Sequence, residues 1–320
     1  MTEKRSPVQE FRRPTGGRTP VGKGEEDARL KDAIEKAGTL IEAMNYIQKF
    51  RNRVVVIKLG GSAMEGAELT ALLADVVFME AVGMRPVLVH GGGPAISKAM
   101  KEKGKEPVFV NGRRVTDAGT LRIVKDVLVK QINRAIVEEI RTLGARAEGI
   151  HPDSNSSITA RQLIMKDEAG KPYDLGLVGE VASVKTDVIR DFTEARVVPV
   201  IAPLGADENG RVYNINGDSV ASALAAALGA EKLVYLSDTH GIYTDPHDEN
   251  SFAPHLSEGE IEDLVKRGII NSGMLPKVEG CLGAVKAGVR KAHIIDGRIQ
   301  HSLLLEIFTE KGIGTEIVLS

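Results

Sequence analysis

Lys58 closes a run of β-branched residues, Arg53-Val-Val-Val-Ile-Lys58, and is followed at once by Leu59-Gly60-Gly61-Ser62. Glycines at the carboxyl end of a strand let backbone N–H groups approach phosphate oxygens, and an ammonium beside them adds charge. A tight turn with a surface lysine would use the same residues, so this cluster alone leaves both readings open. His90-Gly91-Gly92-Gly93-Pro94 follows a second apolar run, Pro86-Val-Leu-Val-His90. Three adjacent glycines make a wide anion site free of side chains. Pro94 suits the first turn of a helix, and the dinucleotide fingerprint is absent. His90 reads as a strand-end packing or hydrogen-bonding residue rather than a catalyst, since no partner is identifiable. Gly273-Met-Leu-Pro-Lys277 precedes a helix expected from Val278. A lysine at a helix N-terminus is disfavoured by the dipole unless it has an anion to bind, which makes Lys277 a functional candidate.

Two further segments add recognition chemistry. Asn111-Gly112-Arg113-Arg114-Val115-Thr116 sets two guanidinium groups beside a hairpin turn, and Arg suits bidentate contact with a carboxylate. Asn214-Ile215-Asn216-Gly217-Asp218 places both asparagines on one strand face and Asp218 where a helix starts. A helix cap is the plain alternative for that aspartate. Taken together, these residues suit phosphoryl transfer without a general base, which is mostly positioning and charge neutralisation. A carboxylate acceptor, with a pKa of about 4, is already ionised at neutral pH. Its obstacle is repulsion from the triphosphate, which lysines, backbone N–H groups and Mg²⁺ offset. The His-Arg-Asp and Asp-Phe-Gly motifs of protein kinases are absent.

The elements that must position these residues alternate strand and helix. Strands are legible at 53–58, 86–90, 197–202, 232–237, 293–295 and 315–319. Helices are legible at 67–82, from Pro94, and at 118–143, 186–195, 218–229, 257–267 and 278–288. Asn111-Gly112 and Asn209-Gly210 sit between alternating apolar residues and read as hairpin turns. The sum is an α/β fold with an open, mostly parallel central sheet and helices on both faces. Before the first strand, Leu30, Ile34, Ala37, Ile41, Met44 and Ile47 fall on one stripe at helical spacing, interrupted by Gly38. That apolar face needs a partner, on its own body or on a neighbouring subunit.

Bulk composition narrows the class further. The chain has 320 residues, 42% hydrophobic and 27% charged, enough for a sizeable core. A formal net charge of −2 gives no basis for a nucleic-acid track or an anionic membrane partner. No apolar run approaches the ~18 residues a membrane span needs. The one cysteine, Cys281, permits no intramolecular disulfide and reads as a small core residue. Residues 1–24 carry Lys4, Arg5, Arg12, Arg13, Arg18 and Lys23 among Pro and Gly, with no hydrophobic segment. A disordered tail, not a secretory signal, is expected there, and a cytoplasmic location for the whole. Gly17 to Gly24 nearly spells a P-loop, but Gly24 stands where a Ser or Thr should meet Mg²⁺, and no strand precedes it.

The five motifs, Val-Ile-Lys58-Leu-Gly-Gly, Val-His90-Gly-Gly-Gly-Pro, Asn-Gly-Arg-Arg114-Val-Thr, Asn214-Ile-Asn-Gly-Asp218 and Gly-Met-Leu-Pro-Lys277-Val-Glu, resemble in order those of the N-acetylglutamate kinases of the amino acid kinase family. The resemblance runs from about residue 25 to the C-terminus. It implies ATP-dependent phosphorylation, with Mg²⁺ carried by the nucleotide and not by protein ligands, of the side-chain carboxylate of N-acetyl-L-glutamate. That reaction is the second step of arginine synthesis. Carried over by motif, Lys58 and Lys277 would stabilise the transferring group and Asp218 would orient them. Gly92, Gly93, Arg114 and Asn214 would hold the substrate. Gly60 and Gly61 would line the phosphate site, with the nucleotide near Ser237, Asp238 and Gly241. The implied organisation is a tail (1–24), an inter-subunit helix (25–51), an acetylglutamate-binding lobe (52–195) and an ATP-binding lobe (196–320).

The likeness extends to arginine-inhibited, hexameric members through Tyr46-Ile-Gln, His293-Ile-Ile-Asp-Gly-Arg, Glu306-Ile-Phe-Thr and Gly312-Ile-Gly314-Thr. There Tyr46, His293, Glu306, Gly312 and Gly314 would surround the inhibitor. One segment departs: after Ala147-Glu-Gly149-Ile150 the family continues with a Gly-Lys-Asp-Gly-like loop, whereas this chain has His151-Pro-Asp-Ser-Asn-Ser156. A kinase for acetylaminoadipate and an idle arginine-binding regulator are the rival readings. The intact Lys58, Asp218 and Lys277 argue against the second.

Overall fold

A computed structural model describes residues 23–60, 66–166, 170–270, 273–309 and 311–319. Gly61 and most of the N-terminal tail with its near-P-loop therefore lie outside the described residues. The chain divides into two compact units, Met1–Asn45 and Tyr46–Ser320. Helix α1 (Lys23–Phe50) supplies the described residues of the first and the opening residues of the second; it is unbroken at Gly38, and Leu30, Ile34, Leu40, Ile41 and Met44 are exposed.

In the second unit the chain continues as β1 (Val54–Leu59), α2 (Gly66–Ala81), β2 (Arg85–His90) and α3 (Gly93–Glu102). The hairpin of β3 (Phe109–Val110) and β4 (Arg113–Arg114) follows, then α4 (Ala118–Lys125). A π-helical stretch, Asp126–Asn133, joins α4 to α5 (Arg134–Thr142). Next come β5 (Arg146–Ile150), β6 (Ile158–Gln162), β7 (Val178–Val184), α6 (Thr186–Glu194), β8 (Val197–Ile201) and β9 (Leu204–Ala206). They lead to β10 (Val212–Ile215), α7 (Gly217–Leu228), β11 (Lys232–Ser237), β12 (Ile242–Tyr243), β13 (Phe252–Ala253) and β14 (His255–Ser257). The chain closes with α8 (Glu258–Lys266), α9 (Leu275–Lys286), β15 (Lys291–Asp296), α10 (Ser302–Ile307) and β16 (Thr315–Val318).

Eight strands form one sheet in the order β14-β16-β15-β11-β1-β2-β8-β5. Every pairing is parallel except β15 with β16. The expected mostly parallel sheet is thus present, and β1 shows why its strands read as continuous apolar runs. Val55 and Ile57 face one core, with Leu72, Val76, Ile136 and Ile140 from α2 and α5. Val56 faces the other, with Leu224 of α7 and Val278 and Ala284 of α9. Both faces are covered, so both sets of side chains are apolar. Each fully buried aliphatic side chain contributes about 1.5–3 kcal/mol. Both Asn-Gly hairpins are also present, as β3–β4 and β9–β10.

The structure corrects three local expectations. The helix expected over 118–143 has its middle eight residues in π geometry. The helix expected from Val278 begins at Leu275, because Pro276 occupies its first turn, where a missing N–H costs nothing. Asn216 is not a strand residue but the N-cap of α7, its side chain accepting from Ser219 N at 3.0 Å. A small closed barrel of β10, β7, β6 and β9 was not legible beyond its β9–β10 turn. Its strands are short and mixed in polarity. No helix among the described residues is long and apolar enough to cross a membrane.

Candidate active site

The carboxyl ends of β1 and β2 open into a cleft of about 390 Å³. Such a position outside the strand ends is where open α/β sheets bind ligands. Lys58, Gly60, Gly92, Gly93, Arg114, Asn214 and Asp218 all line it. Residues up to 160 apart in sequence thus converge because α7 returns the chain beneath β1 (Gly217 lies against Lys58 and the His90 carbonyl).

Asp218 is at the centre. Its Oδ1 lies 2.7 Å from the Lys58 ammonium and its Oδ2 3.7 Å from that of Lys277. Burial works to raise the pKa of this carboxyl. The two ammonium groups outweigh that, and the net shift is downward, so Asp218 is ionised. The alternative role, capping α7, is taken by Asn216. Lys277 enters from the first turn of α9, and Asp218 supplies the anion that makes a cation tolerable there. Gly60 lies against this pair: a Cβ on it would displace the Lys58 ammonium.

Arg114 ends the β3–β4 hairpin and is buried. Its guanidinium donates to Gly93 O at 2.9 Å and Ser97 Oγ at 2.8 Å, contacts Met100 Sδ, and lies over the Phe109 ring. Burial lowers its pKa, and it stays charged. Three of the five guanidinium N–H bonds are engaged, and the others remain for a ligand. Arg113 lines the cleft as well, so strand alternation does not exclude it from the site. Asn214 Nδ2 donates to Thr116 Oγ1 at 3.3 Å.

Ser237 and Asp238 stand at the carboxyl end of β11, whose register with β1 sets Tyr235 opposite Lys58. With Gly241, they do not line the described cleft. Gly241 has φ +146°, and a side chain there would strike Thr315 and Phe252. Residues 151–156 do not line the cleft either. They close a turn through reciprocal His151–Ser154 backbone bonds, with Asp153 3.0 Å from Lys125.

Of the second predicted group, His293, Glu306, Gly312 and Gly314 also come together. His293 Nδ1 lies 2.6 Å from Glu306 Oε1, while Glu306 Oε2 accepts from Ile313 N and Gly314 N at 2.8 and 3.0 Å. Burial works to raise the Glu306 pKa, but these donors hold it below the usual range. A Cβ on Gly314 would strike the Ile294 carbonyl, and Gly312, at φ +61°, lies against Glu306. The Tyr46 ring packs edge-on against Phe308, 6.3 Å between centroids.

Several supporting residues escaped the sequence. Tyr235 donates from its hydroxyl to Asp218 O at 2.9 Å, and Lys232 Nζ lies 3.0 Å from His293 Nε2. Both sit in β11, where an apolar run hides them. Thr116 and Ser97 carried no signal beyond their proximity to named motifs.

The sequence pattern of the amino acid kinase family matches residues 53–296. Acetylglutamate kinase from Symbiobacterium thermophilum is 47% identical over 290 residues, covering 90% of this chain and 99% of that one. Acetylglutamate kinase from Methanothermobacter thermautotrophicus is 48% identical, covering 89% and 99%. Among solved structures, N-acetylglutamate synthase from Neisseria gonorrhoeae, complexed with coenzyme A and N-acetyl-glutamate, superposes with a TM-score of 0.78 at 26% identity. That match covers 89% of this chain and 63% of the longer synthase.

Proposed function

This chain belongs to the amino acid kinase family, and we propose that it transfers the γ-phosphoryl group of ATP to the side-chain carboxylate of N-acetyl-L-glutamate. The product is N-acetyl-L-glutamyl 5-phosphate, an intermediate of arginine synthesis. What carries this reading is the near-full-length likeness to acetylglutamate kinases, and the cleft suits the reaction. A carboxylate oxygen attacks the γ-phosphorus, the bond to the bridging oxygen breaks, and ADP leaves. No proton moves, which accords with a cleft lined by Lys58 and glycine loops, whose carboxylate, Asp218, is paired with lysines.

In this reading Lys58 and Lys277 neutralise charge on the transferring group, and Asp218 keeps the two ammonium groups together. Gly60 and Gly61, with Gly92 and Gly93, supply backbone donors. Arg114 and Asn214 hold the acetylglutamate, mainly within residues 52–195. ATP lies over residues 196–320, near Ser237, Asp238 and Gly241. Mg²⁺ arrives on the triphosphate, since Asp218 is already committed to two lysines. The ion would offset charge on the phosphate oxygens.

Arginine is the proposed inhibitor, bound at Tyr46, His293, Glu306 and the Gly312–Gly314 loop. The exposed apolar stripe of α1 supports an assembly of several copies, a hexamer by resemblance, with residues 25–51 between subunits. The proposed location is cytoplasmic. The deciding assay is ATP-dependent hydroxamate formation, comparing acetylglutamate, acetylaminoadipate and glutamate. Preference for acetylaminoadipate would replace the substrate, and no acyl phosphate from any of the three would end the kinase reading.

A further inference from the structure

We propose that His90 and Asn133 are positioning residues, a buried hydrogen-bond chain that turns the Gly92 N–H into the cleft. The proposal rests on the phosphoryl-transfer reading above and adds to it two side chains that touch no reacting atom.

His90 is 0% exposed and Asn133 3%. Asn133 Nδ2 lies 2.9 Å from Val200 O and 3.2 Å from His90 Nε2. A carbonyl only accepts, so the amide presents its NH₂ end, and its two hydrogens serve these two acceptors. Nε2 is therefore bare. The hydrogen sits on Nδ1, which lies 2.8 Å from Gly91 O and donates to it. A single neutral tautomer results. Burial pushes the imidazole pKa down to about 4, so the ring keeps that form through neutrality.

The consequence falls on one peptide group. Gly91 N–H donates to Leu59 O at 2.9 Å, directly after Lys58, while its carbonyl is held by His90. In a trans peptide the C=O and the next N–H point in opposite directions. With Gly91 O turned to the buried ring, the Gly92 N–H turns the other way, where Gly92 lines the cleft. Gly92 is also the N-cap of α3, so this donor sits at the positive end of a helix.

The π-helical stretch explains how the amide reaches this place. Asn133 is its last residue, and Leu128 and Ile132 of the same stretch wall the cleft beside Gly92. The wider turn thus supplies both a wall and the amide, in keeping with π segments at functional sites. Gly149 makes the room, since a Cβ there would overlap Asn133 Oδ1.

Long-range ¹H–¹⁵N NMR on the histidine-labelled protein reads the tautomer directly. At neutral pH His90 should be neutral and protonated on Nδ1. Protonation on Nε2, or titration near neutrality, would overturn the chain. Kinetics then test its purpose. His90→Asn keeps an amide N–H near the Nδ1 position, whereas His90→Gln reaches only the Nε2 position. His90→Gln should lower kcat roughly 100-fold, on the scale of one oxyanion donor, with a smaller change in KM. His90→Asn should recover about tenfold of that loss, although both variants melt at similar temperatures. Equal kcat in the two variants would refute positioning through Nδ1. If neither variant folds, the wild-type tautomer decides. A wild-type protein inactive on acetylglutamate would overturn the substrate assignment while leaving the NMR result standing.

Discussion

The Lys58 ammonium lies 2.7 Å from Asp218 Oδ1, both side chains only 10% exposed. The contact joins the end of β1 to the first turn of α7, and Lys277 of α9 completes it from the other oxygen. One carboxylate therefore gathers two cations, of which Lys58 lines the cleft.

Lys58→Ala and Lys277→Ala should each lower kcat far more than they raise KM for acetylglutamate. The cost should be roughly 3 kcal/mol, because the charge they meet develops during transfer. Steady-state kinetics check this, and near-wild-type kcat would remove that lysine from the mechanism.

Asp218→Asn leaves the buried Lys58 ammonium and the partly exposed Lys277 without their anion and should destabilise by about 3 kcal/mol at neutral pH. The Asp218 pKa is depressed in the folded state. Its contribution is therefore complete above the unfolded pKa of about 3.9 and is lost as pH falls through the lower folded value. The difference in melting temperature between wild type and variant should be flat near neutrality and shrink only in acid. A difference that shrinks near pH 7 would contradict this assignment.

Arg114→Ala should raise KM for acetylglutamate more than it lowers kcat, as expected for a group that binds ground and transition states alike. Arg113 also lines the cleft, so Arg113→Ala should show a smaller effect of the same kind. A larger KM change from Arg113 would reassign the carboxylate contact.

Gly280→Ala tests how α7 and α9 are spaced. A Cβ at 280 would come 2.6 Å from the Tyr235 hydroxyl, which donates to Asp218 O. Overpacking of this kind costs about 1–3 kcal/mol. Tyr235→Phe removes the clashing oxygen, so it should cost less in the Gly280→Ala background than alone, a coupling that a double-mutant cycle measures. Strict additivity would mean that the hydroxyl does not set the spacing.

L-Arginine should inhibit, and Glu306→Gln should raise the concentration required, since a guanidinium pairs best with an ionised carboxylate. Deleting residues 1–45 retains Tyr46 and the buried Phe50. Light scattering should show a smaller assembly, with weaker arginine inhibition and activity retained without arginine. Indifference of the intact protein to millimolar arginine would end the regulatory reading.

The sequence by itself determined most helices, the main parallel strands other than β5, the two Asn-Gly turns and the class of chemistry, but not β7, the longest strand of the small barrel. β-branched runs, helical spacing and Asn-Gly pairs act within a few residues, and Gly60, Gly92 and Lys58 mark strand-end glycine loops from their neighbours, with an anion site and a plain turn both open. Tertiary structure decided which distant groups meet. For Asp218 a helix cap stood as the plain alternative until Asn216 took that place and two lysines, 160 residues before and 59 after it, closed on its oxygens. His90 lacked a partner in the sequence because Asn133 reaches it only through a π-helical turn that no local pattern marks. The physical reason is range: backbone preference is local, while a buried ion pair or tautomer is set by strand register and helix packing across the whole sheet.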